Sequence, residues 1–186
     1  LEHQWYVNFW SNPWESAGKW HYVTVMGEDL HGEHTLFEDD PLEIGLHNMY
    51  PGAEGQFRLE LRNTGSIPSK LVDVEVNHTY GNAALYDAIE VKWTGGTRTG
   101  GGSWKQVLAY SPGTSWMSLA DFQSDMNARI ANEAPVVLEP GWKFSFDGDD
   151  PEDPEDGTIY FRITSDAPQG EDVEFTIKFN FAQHNA

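Results

Sequence analysis

An alternation of apolar and polar residues recurs in short segments of this chain. It is longest at 173–181, where odd-numbered residues are apolar and even-numbered ones polar, and it also appears at 42–46, 57–62 and 71–76. Successive side chains of a β-strand point to opposite faces, so a period of two predicts strands with one buried face. Further segments with strand composition lie at 5–10, 20–26, 142–146 and 159–163.

One segment has the spacing of an amphipathic helix. Its apolar residues lie three or four positions apart, and Ser118 before it is a favourable N-cap. The apolar positions are Leu119, Phe122, Met126 and Ile130. We therefore predict an all-β chain, a jelly-roll β-sandwich with one short helical insertion at about 118–132. The glycine-rich run at 95–102 and the acidic run at 147–156 are predicted as long loops.

Length and charge restrict the class of protein. A chain of 186 residues has room for one domain of ordinary size. Thirty Asp and Glu against eleven Lys and Arg give a net charge of −19. Such a charge repels phosphate backbones and anionic lipid headgroups, so we expect no nucleic-acid partner. No apolar run reaches the ~18 residues of a spanning helix, so we expect no membrane insertion. Cysteine is absent, which excludes disulfides and thiolate sites.

Two runs of carboxylates are candidate calcium sites. Calcium prefers several oxygen ligands, and proline in a loop reduces the entropy lost when that loop is ordered. The alternative is a solvated acidic loop without an ion, and the first run is not an EF-hand because Pro151 stands at a ligand position. The predicted calcium ligands are Asp147, Asp149, Asp150, Glu152, Asp153 and Asp156 in one run and Glu38, Asp39 and Asp40 in the other.

Two shorter motifs are less specific. His31, Glu33 and His34 offer ligands for zinc, but a zincin needs His-Glu-x-x-His on a helix, and this polar segment contains glycine. Surface histidines are the favoured interpretation. Asn77 begins an Asn-His-Thr sequence that fits the glycosylation acceptor pattern. Because no Gly-x-Ser-x-Gly nucleophile motif is present either, we expect a protein that is not an enzyme.

Four tryptophans crowd the first part of the chain, namely Trp5, Trp10, Trp14 and Trp20. Exposed tryptophan rings stack on sugars in carbohydrate-binding modules, which makes glycans an alternative partner. An aromatic extended segment also buries itself in a hydrophobic groove, either of its own chain or of a neighbour. The position of the tryptophans in the chain favours this second interpretation.

The turns on either side of one strand resemble a known family. Asn-Met-Tyr-Pro-Gly at 48–52, the alternating strand at 57–62 and Asn-Thr-Gly-Ser-Ile-Pro at 63–68 are similar to the core of the TasA/camelysin family of secreted fibre proteins. A second Pro-Gly at Pro140 and the strand at 173–181 resemble later strands of that family. In its acidic composition the chain is closest in character to the calcium-dependent archaeal cannula subunits, which form extracellular tubes.

The resemblance implies a secreted jelly-roll subunit of an extracellular filament or tube, with calcium as cofactor and further copies of the chain as partners. In such assemblies the N-terminal strand of one subunit completes the sheet of the next. The chain then divides into a donor segment at 1–16 and a single domain at 17–186. The expected donor-strand residues are Trp5, Tyr6, Val7, Phe9 and Trp10. A secreted carbohydrate-binding module with structural calcium is the alternative, and a metallopeptidase is less favoured.

Overall fold

A computed structural model describes residues 1–9, 11–29, 35–37, 41–93, 95–108, 115–147 and 158–185. Strands dominate these segments, and they pair antiparallel in two sheets. In chain order the elements are β1 (His3–Asn8), β2 (Trp14–Ser16), β3 (Lys19–Val25), β4 (Glu28–Asp29), β5 (Thr35–Phe37), β6 (Leu42–Met49), β7 (Glu54–Asn63), β8 (Ser69–Gly81), α1 (Ala83–Asp87), β9 (Ile89–Lys92), β10 (Gly95–Gly100), β11 (Ser103–Val107), β12 (Met117–Ser118), α2 (Leu119–Asn132), β13 (Val137–Leu138), β14 (Lys143–Asp147), β15 (Thr158–Ile163) and β16 (Glu171–Gln183).

The two sheets form a sandwich. The first sheet has the strand order β11-β10-β14-β7-β15-β9-β12, with β1 added beside β7 and β5 beside β1. The second has the order β13-β8-β16-β6-β3-β2, with β4 added beside β3. Strands β6 to β9 alternate between the sheets, and so do β15 and β16, as in a jelly roll. The predicted all-β jelly-roll sandwich is confirmed.

Apolar side chains from the inner faces meet between the sheets and form one core. Aromatic rings pack edge to face there: the ring centroids of Phe146 and Phe179 lie 5.6 Å apart, and those of Phe144 and Phe146 lie 5.5 Å apart. The removal of these side chains from water is the main favourable contribution to folding. The largest fully buried side chains are Trp5, Trp93, Phe122, Phe144, Phe146 and Phe161.

Helix α2 closely matches the predicted bounds of 118–132. The Ser118 hydroxyl accepts a hydrogen bond from the Asp121 amide at 3.1 Å, as an N-cap does. Two side chains of the helix accept hydrogen bonds from backbone amides of β8, which covers that edge of the second sheet. The sequence pattern at 83–90 is ambiguous, and the structure contains the shorter helix α1 there.

The prediction of a glycine-rich loop at 95–102 is wrong. These residues form β10 and the turn of a hairpin with β11, and β10 also pairs with β14. A Cβ atom at Gly96 would lie 2.3 Å from the Phe144 ring, and one at Gly100 would lie 2.1 Å from the Trp142 ring. The glycines therefore make room for aromatic side chains of a neighbouring segment. Composition alone indicated flexibility, because it does not show what packs across the strand.

The predicted donor segment at 1–16 contains two strands in different sheets. β1 lies in the first sheet, whereas β2 pairs with β3 in the second. The connection at 9–13 therefore crosses from one sheet to the other. The predicted acidic loop at 147–156 lies outside the described residues, apart from Asp147 at the end of β14.

Candidate assembly site at the N-terminal strand

Strand β1 occupies a slot between β7 and β5. Its residues His3–Asn8 pair with residues 58–63 of β7, and three of them pair with β5 on the other side. β15 pairs with residues 54–58 of β7, so β15 and β1 lie end to end along the same side of β7. β14 pairs with residues 60–62 and therefore lies on the opposite side of β7 from β1. Apart from β5, whose one strand partner in the described segments is β1, the strands of this sheet are connected without β1.

The inward side chains of β1 and the residue after it are part of the core. Trp5, Val7 and Phe9 are 1%, 0% and 4% exposed, respectively. The Trp5 ring contacts the Phe179 ring at 5.2 Å between centroids, and the Phe9 ring contacts the Trp14 ring at 4.6 Å. Of the predicted donor residues, these three therefore fill the slot. By alternation, Tyr6 lies on the other face of β1, and Trp10 lies outside the described residues.

Two contacts hold the beginning of β1. The Glu2 carbonyl accepts hydrogen bonds from the Thr64 amide at 2.9 Å and the Gly65 amide at 3.1 Å. The His3 ring stacks on the Phe181 ring at 4.2 Å, and its Nε2 atom lies 2.9 Å from the Ser69 hydroxyl. Burial lowers the pKa of His3 from 6.5 to about 4, because it disfavours the charged imidazolium.

The chain is anchored again just after β1. The Asn12 side chain donates to the Val23 carbonyl at 2.9 Å and accepts from the Val23 amide at 2.9 Å. Asn12 is thereby tied to β3 in the second sheet. The boundary between the segment that fills the slot and the body of the protein thus lies between Phe9 and Asn12. Neither His3 nor Asn12 carries a signal in the sequence pattern, because their partners lie far away in the chain.

The acidic residues predicted to bind calcium are not brought together in the described part of the chain. Asp147 ends β14, and the remaining acids of its run lie outside the described residues, as do Glu38, Asp39 and Asp40. Within the described segments, no group of three or more His, Asp and Glu side chains is arranged to hold a metal. Calcium binding therefore stays a prediction for 147–156 and 38–40.

The other residues that the sequence singled out differ in whether they are described and whether they are exposed. His31, Glu33 and His34 lie outside the described residues. Trp5 and Trp14 are buried, and the Trp14 indole donates a hydrogen bond to the Glu54 carbonyl at 3.0 Å, so neither ring offers a face to a sugar. Trp20 is 59% exposed on β3, two positions before the exposed Tyr22. Asn77 is exposed on β8.

Comparison with known proteins gives no independent assignment, since no family model, no curated protein and no solved structure matches the chain. The resemblance to the TasA/camelysin family therefore stays a prediction. Neither of the two helices in the described segments has the length and apolar composition that a membrane crossing requires.

Proposed function

We propose that this chain is the structural subunit of an extracellular filament or tube, in which β1 of one copy fills the slot in the sheet of the next. The placement of β1 supports this proposal. It lies beside the continuous strand path of the first sheet, so the path persists when β1 leaves. Its departure opens an apolar slot and the backbone groups along residues 58–63, which a strand of the same sequence satisfies.

Strand donation produces an open chain of copies. The donor and the slot are different surfaces, so each copy joins one neighbour by its strand and another by its slot. The contacts made by a donated β1 equal those made in its own sheet, so the concentration of copies decides between the two states.

The short connection between β1 and the body of the protein limits the distance between neighbouring copies. From Phe9 to the anchored Asn12 an extended backbone spans about 10 Å. Neighbouring copies must therefore lie in contact when β1 is exchanged. We therefore expect a regular filament or tube rather than irregular chains, because only two residues separate Phe9 from Asn12.

Calcium is part of the proposed assembly. Glu38, Asp39 and Asp40 directly follow β5, the strand that pairs with β1. Asp147 ends β14, which pairs with the opposite side of β7. One predicted run of ligands thus follows the strand that pairs with β1, and the other begins on a strand that β7 separates from the slot. Cations bound there would reduce the repulsion between copies that each carry a net charge of −19.

A disulfide trap tests whether β1 is held in its own sheet or in that of a neighbour. Gln4 lies opposite Arg62 across β1 and β7, and the chain contains no cysteine. Opposed residues of antiparallel strands have Cα atoms about 4.5–5.5 Å apart, which suits a disulfide. We expect the Gln4→Cys/Arg62→Cys variant, assembled with calcium and then oxidised, to form a ladder of covalent multimers on a non-reducing gel.

The matched control is Gln56→Cys/Tyr160→Cys, whose positions face each other across β7 and β15 of one copy. It should assemble normally and run as a monomer on the same gel. Filaments of the Gln4→Cys/Arg62→Cys variant that yield only monomers would show that strand donation is wrong. Electron micrographs without polymers, with or without calcium, would contradict the filament itself. Assembly that is unchanged by EGTA would remove calcium from the proposal.

A secreted carbohydrate-binding module is the second candidate, because Trp20 and Tyr22 offer exposed rings on the same face of β3. Sugar rings stack on such side chains. A glycan array separates this candidate from the first. Saturable binding that Trp20→Ala abolishes, together with no polymer at any calcium concentration, would favour the carbohydrate-binding module.

A further inference from the structure

Two exposed aromatic rings lie on the outward face of the second sheet. Trp20 is 59% exposed and Tyr22 is 41% exposed, and both belong to β3. They are two residues apart, so their side chains leave the same face of the strand about 7 Å from each other. The Tyr22 ring stacks on the His47 ring, with 4.5 Å between the centroids and 10° between the planes. This contact holds the Tyr22 ring in place while part of the ring stays accessible to a ligand.

Two carboxylates of β16 lie beside this pair of stacked rings. The Oδ2 atom of Asp172 lies 3.4 Å from Nδ1 of His47, and its Oδ1 atom accepts a hydrogen bond from the Asn48 amide at 2.8 Å. Glu174 follows two residues later on β16. Among the residues that the structure describes, neither carboxylate forms an ion pair with a lysine or an arginine. Both charges are therefore available to a cationic ligand on this face.

A third carboxylate lies on the other side of the rings. Glu15 of β2 is exposed and lies opposite Trp20. Lys19 is next to Trp20 in the chain, but its Nζ atom lies 5.2 Å from the centroid of the Tyr50 ring, on the other face. The first lysine on the outward face of β16 is Lys178, four residues beyond the second carboxylate of that strand. The two exposed rings are thus flanked by acidic groups on both sides.

We infer that this face binds a polysaccharide whose sugar rings carry free amino groups. The inference rests on the carbohydrate-binding candidate proposed above and names the class of its ligand. The apolar faces of sugar rings stack on Trp20 and Tyr22, and the ammonium groups are attracted both by the flanking carboxylates and by the aromatic rings. An anionic polysaccharide is repelled by a chain with a net charge of −19.

The backbone around the rings favours a sugar over a basic peptide. An extended peptide gains much of its affinity from the open edge of a sheet. β3 has β6 on one side and β2 and β4 on the other, so it offers no such edge beside the exposed rings. Ring stacking and charge are the interactions that this face provides, and an amino sugar uses both.

Calorimetric titration of the full chain without calcium tests the class of ligand. The probes are a β-linked hexamer of glucosamine, its N-acetylated counterpart and hexalysine, at a pH of about 5.5, where exposed carboxylates stay ionised. We expect saturable binding of the glucosamine hexamer. The N-acetylated hexamer lacks the charges and hexalysine lacks the sugar rings, so each should bind at least ~tenfold more weakly.

Two variants with matched controls locate the site. Trp20→Ala and Glu174→Gln should each weaken binding of the glucosamine hexamer at least ~fivefold, because they remove a stacking ring and a charge, respectively. Trp104→Ala is the control for the ring, since Trp104 is 52% exposed on β11 of the first sheet. Asp121→Asn is the control for the charge, since Asp121 is exposed on α2. Both controls should bind as the wild type does.

The outcomes separate the inference from the function on which it rests. Hexalysine binding as tight as that of the glucosamine hexamer, or equal weakening by Glu174→Gln and Asp121→Asn, would overturn the inference, because net charge alone would then explain binding. Equal or tighter binding of the N-acetylated hexamer, lost in Trp20→Ala, would overturn the preference for amino sugars and support the carbohydrate-binding module. No binding of either sugar would contradict both. The disulfide trap tests strand donation independently of these titrations.

Discussion

The first and last strands of this protein have a similar pattern and different positions. β1 and β16 both alternate inward apolar residues with outward polar or half-buried ones. β16 has 13 residues and lies between β6 and β8, with partners on both sides along much of its length. β1 has six residues, all paired with β7, and only three of them pair with β5.

The difference lies in what each strand connects. Without β16, the second sheet separates into β13-β8 and β6-β3-β2, so the core loses one of its walls. Without β1, the path of the first sheet from β11 to β12 persists. We therefore expect β16 to unfold only with the whole domain and β1 to open locally. A strand that opens locally is the one suited to exchange between copies.

The largest expected effect is on the free energy of unfolding, and it comes from a substitution in β16. Phe179 on β16 contacts the rings of Trp5, Phe144 and Phe146 at 5.2–5.7 Å between centroids. Phe179→Ala should lower the free energy of unfolding by about 3–5 kcal/mol, because it leaves a cavity in the core. Urea denaturation followed by tryptophan fluorescence measures this change. The control Lys178→Ala on the outward face should stay within about 0.5 kcal/mol of the wild type. A loss below about 1 kcal/mol for Phe179→Ala would contradict the central role of β16.

A smaller effect is expected from a substitution in β1, where it should change the stability of strand docking. Val7→Ala removes two methyl groups from a fully buried side chain, which should destabilise the docking of β1 by about 2 kcal/mol. Native-state hydrogen exchange should show faster exchange of β1 amides, with β16 amides unchanged. The control Gln4→Ala, on the outward face of β1, should leave both sets unchanged. If Val7→Ala accelerates β16 amides equally, the two strands open as one unit and the comparison fails.

The third expected effect comes from pH and concerns His3. Its pKa is lowered to about 4 in the docked strand and returns to about 6.5 when β1 opens, so the open state binds more protons. The docking of β1 should therefore be fully stable above pH 6.5 and should weaken as the pH falls towards 4. Hydrogen exchange of β1 amides between pH 7 and 4.5, corrected for intrinsic exchange rates, checks this. The variant His3→Gln should lose that part of the pH dependence, and an unchanged profile would show that His3 does not control it.

Local patterns predicted the fold wherever one element buries one face. The alternation at 173–181 became β16, and the spacing after Ser118 became α2. The glycines at 95–102 were wrongly predicted to form a loop. They lie in a hairpin, where the absence of a side chain leaves space for the rings of Phe144 and Trp142. The position of β1 in the sheet could not be predicted from the sequence either. It depends on contacts between distant residues, such as that of Trp5 with Phe179.

By itself, the sequence determined the class of fold, the position of the main helix and the excess of negative charge. Hydrophobic periodicity and helix capping depend on residues close together in the chain, and the net charge is a sum over the whole composition. Only the tertiary structure decided that β1 lies beside a continuous sheet path and that five of the eleven basic residues lie on the outward face of the first sheet. Pairing between distant segments sets both features. The order of residues within a strand shows which face a side chain occupies, but not which strand will lie next to it.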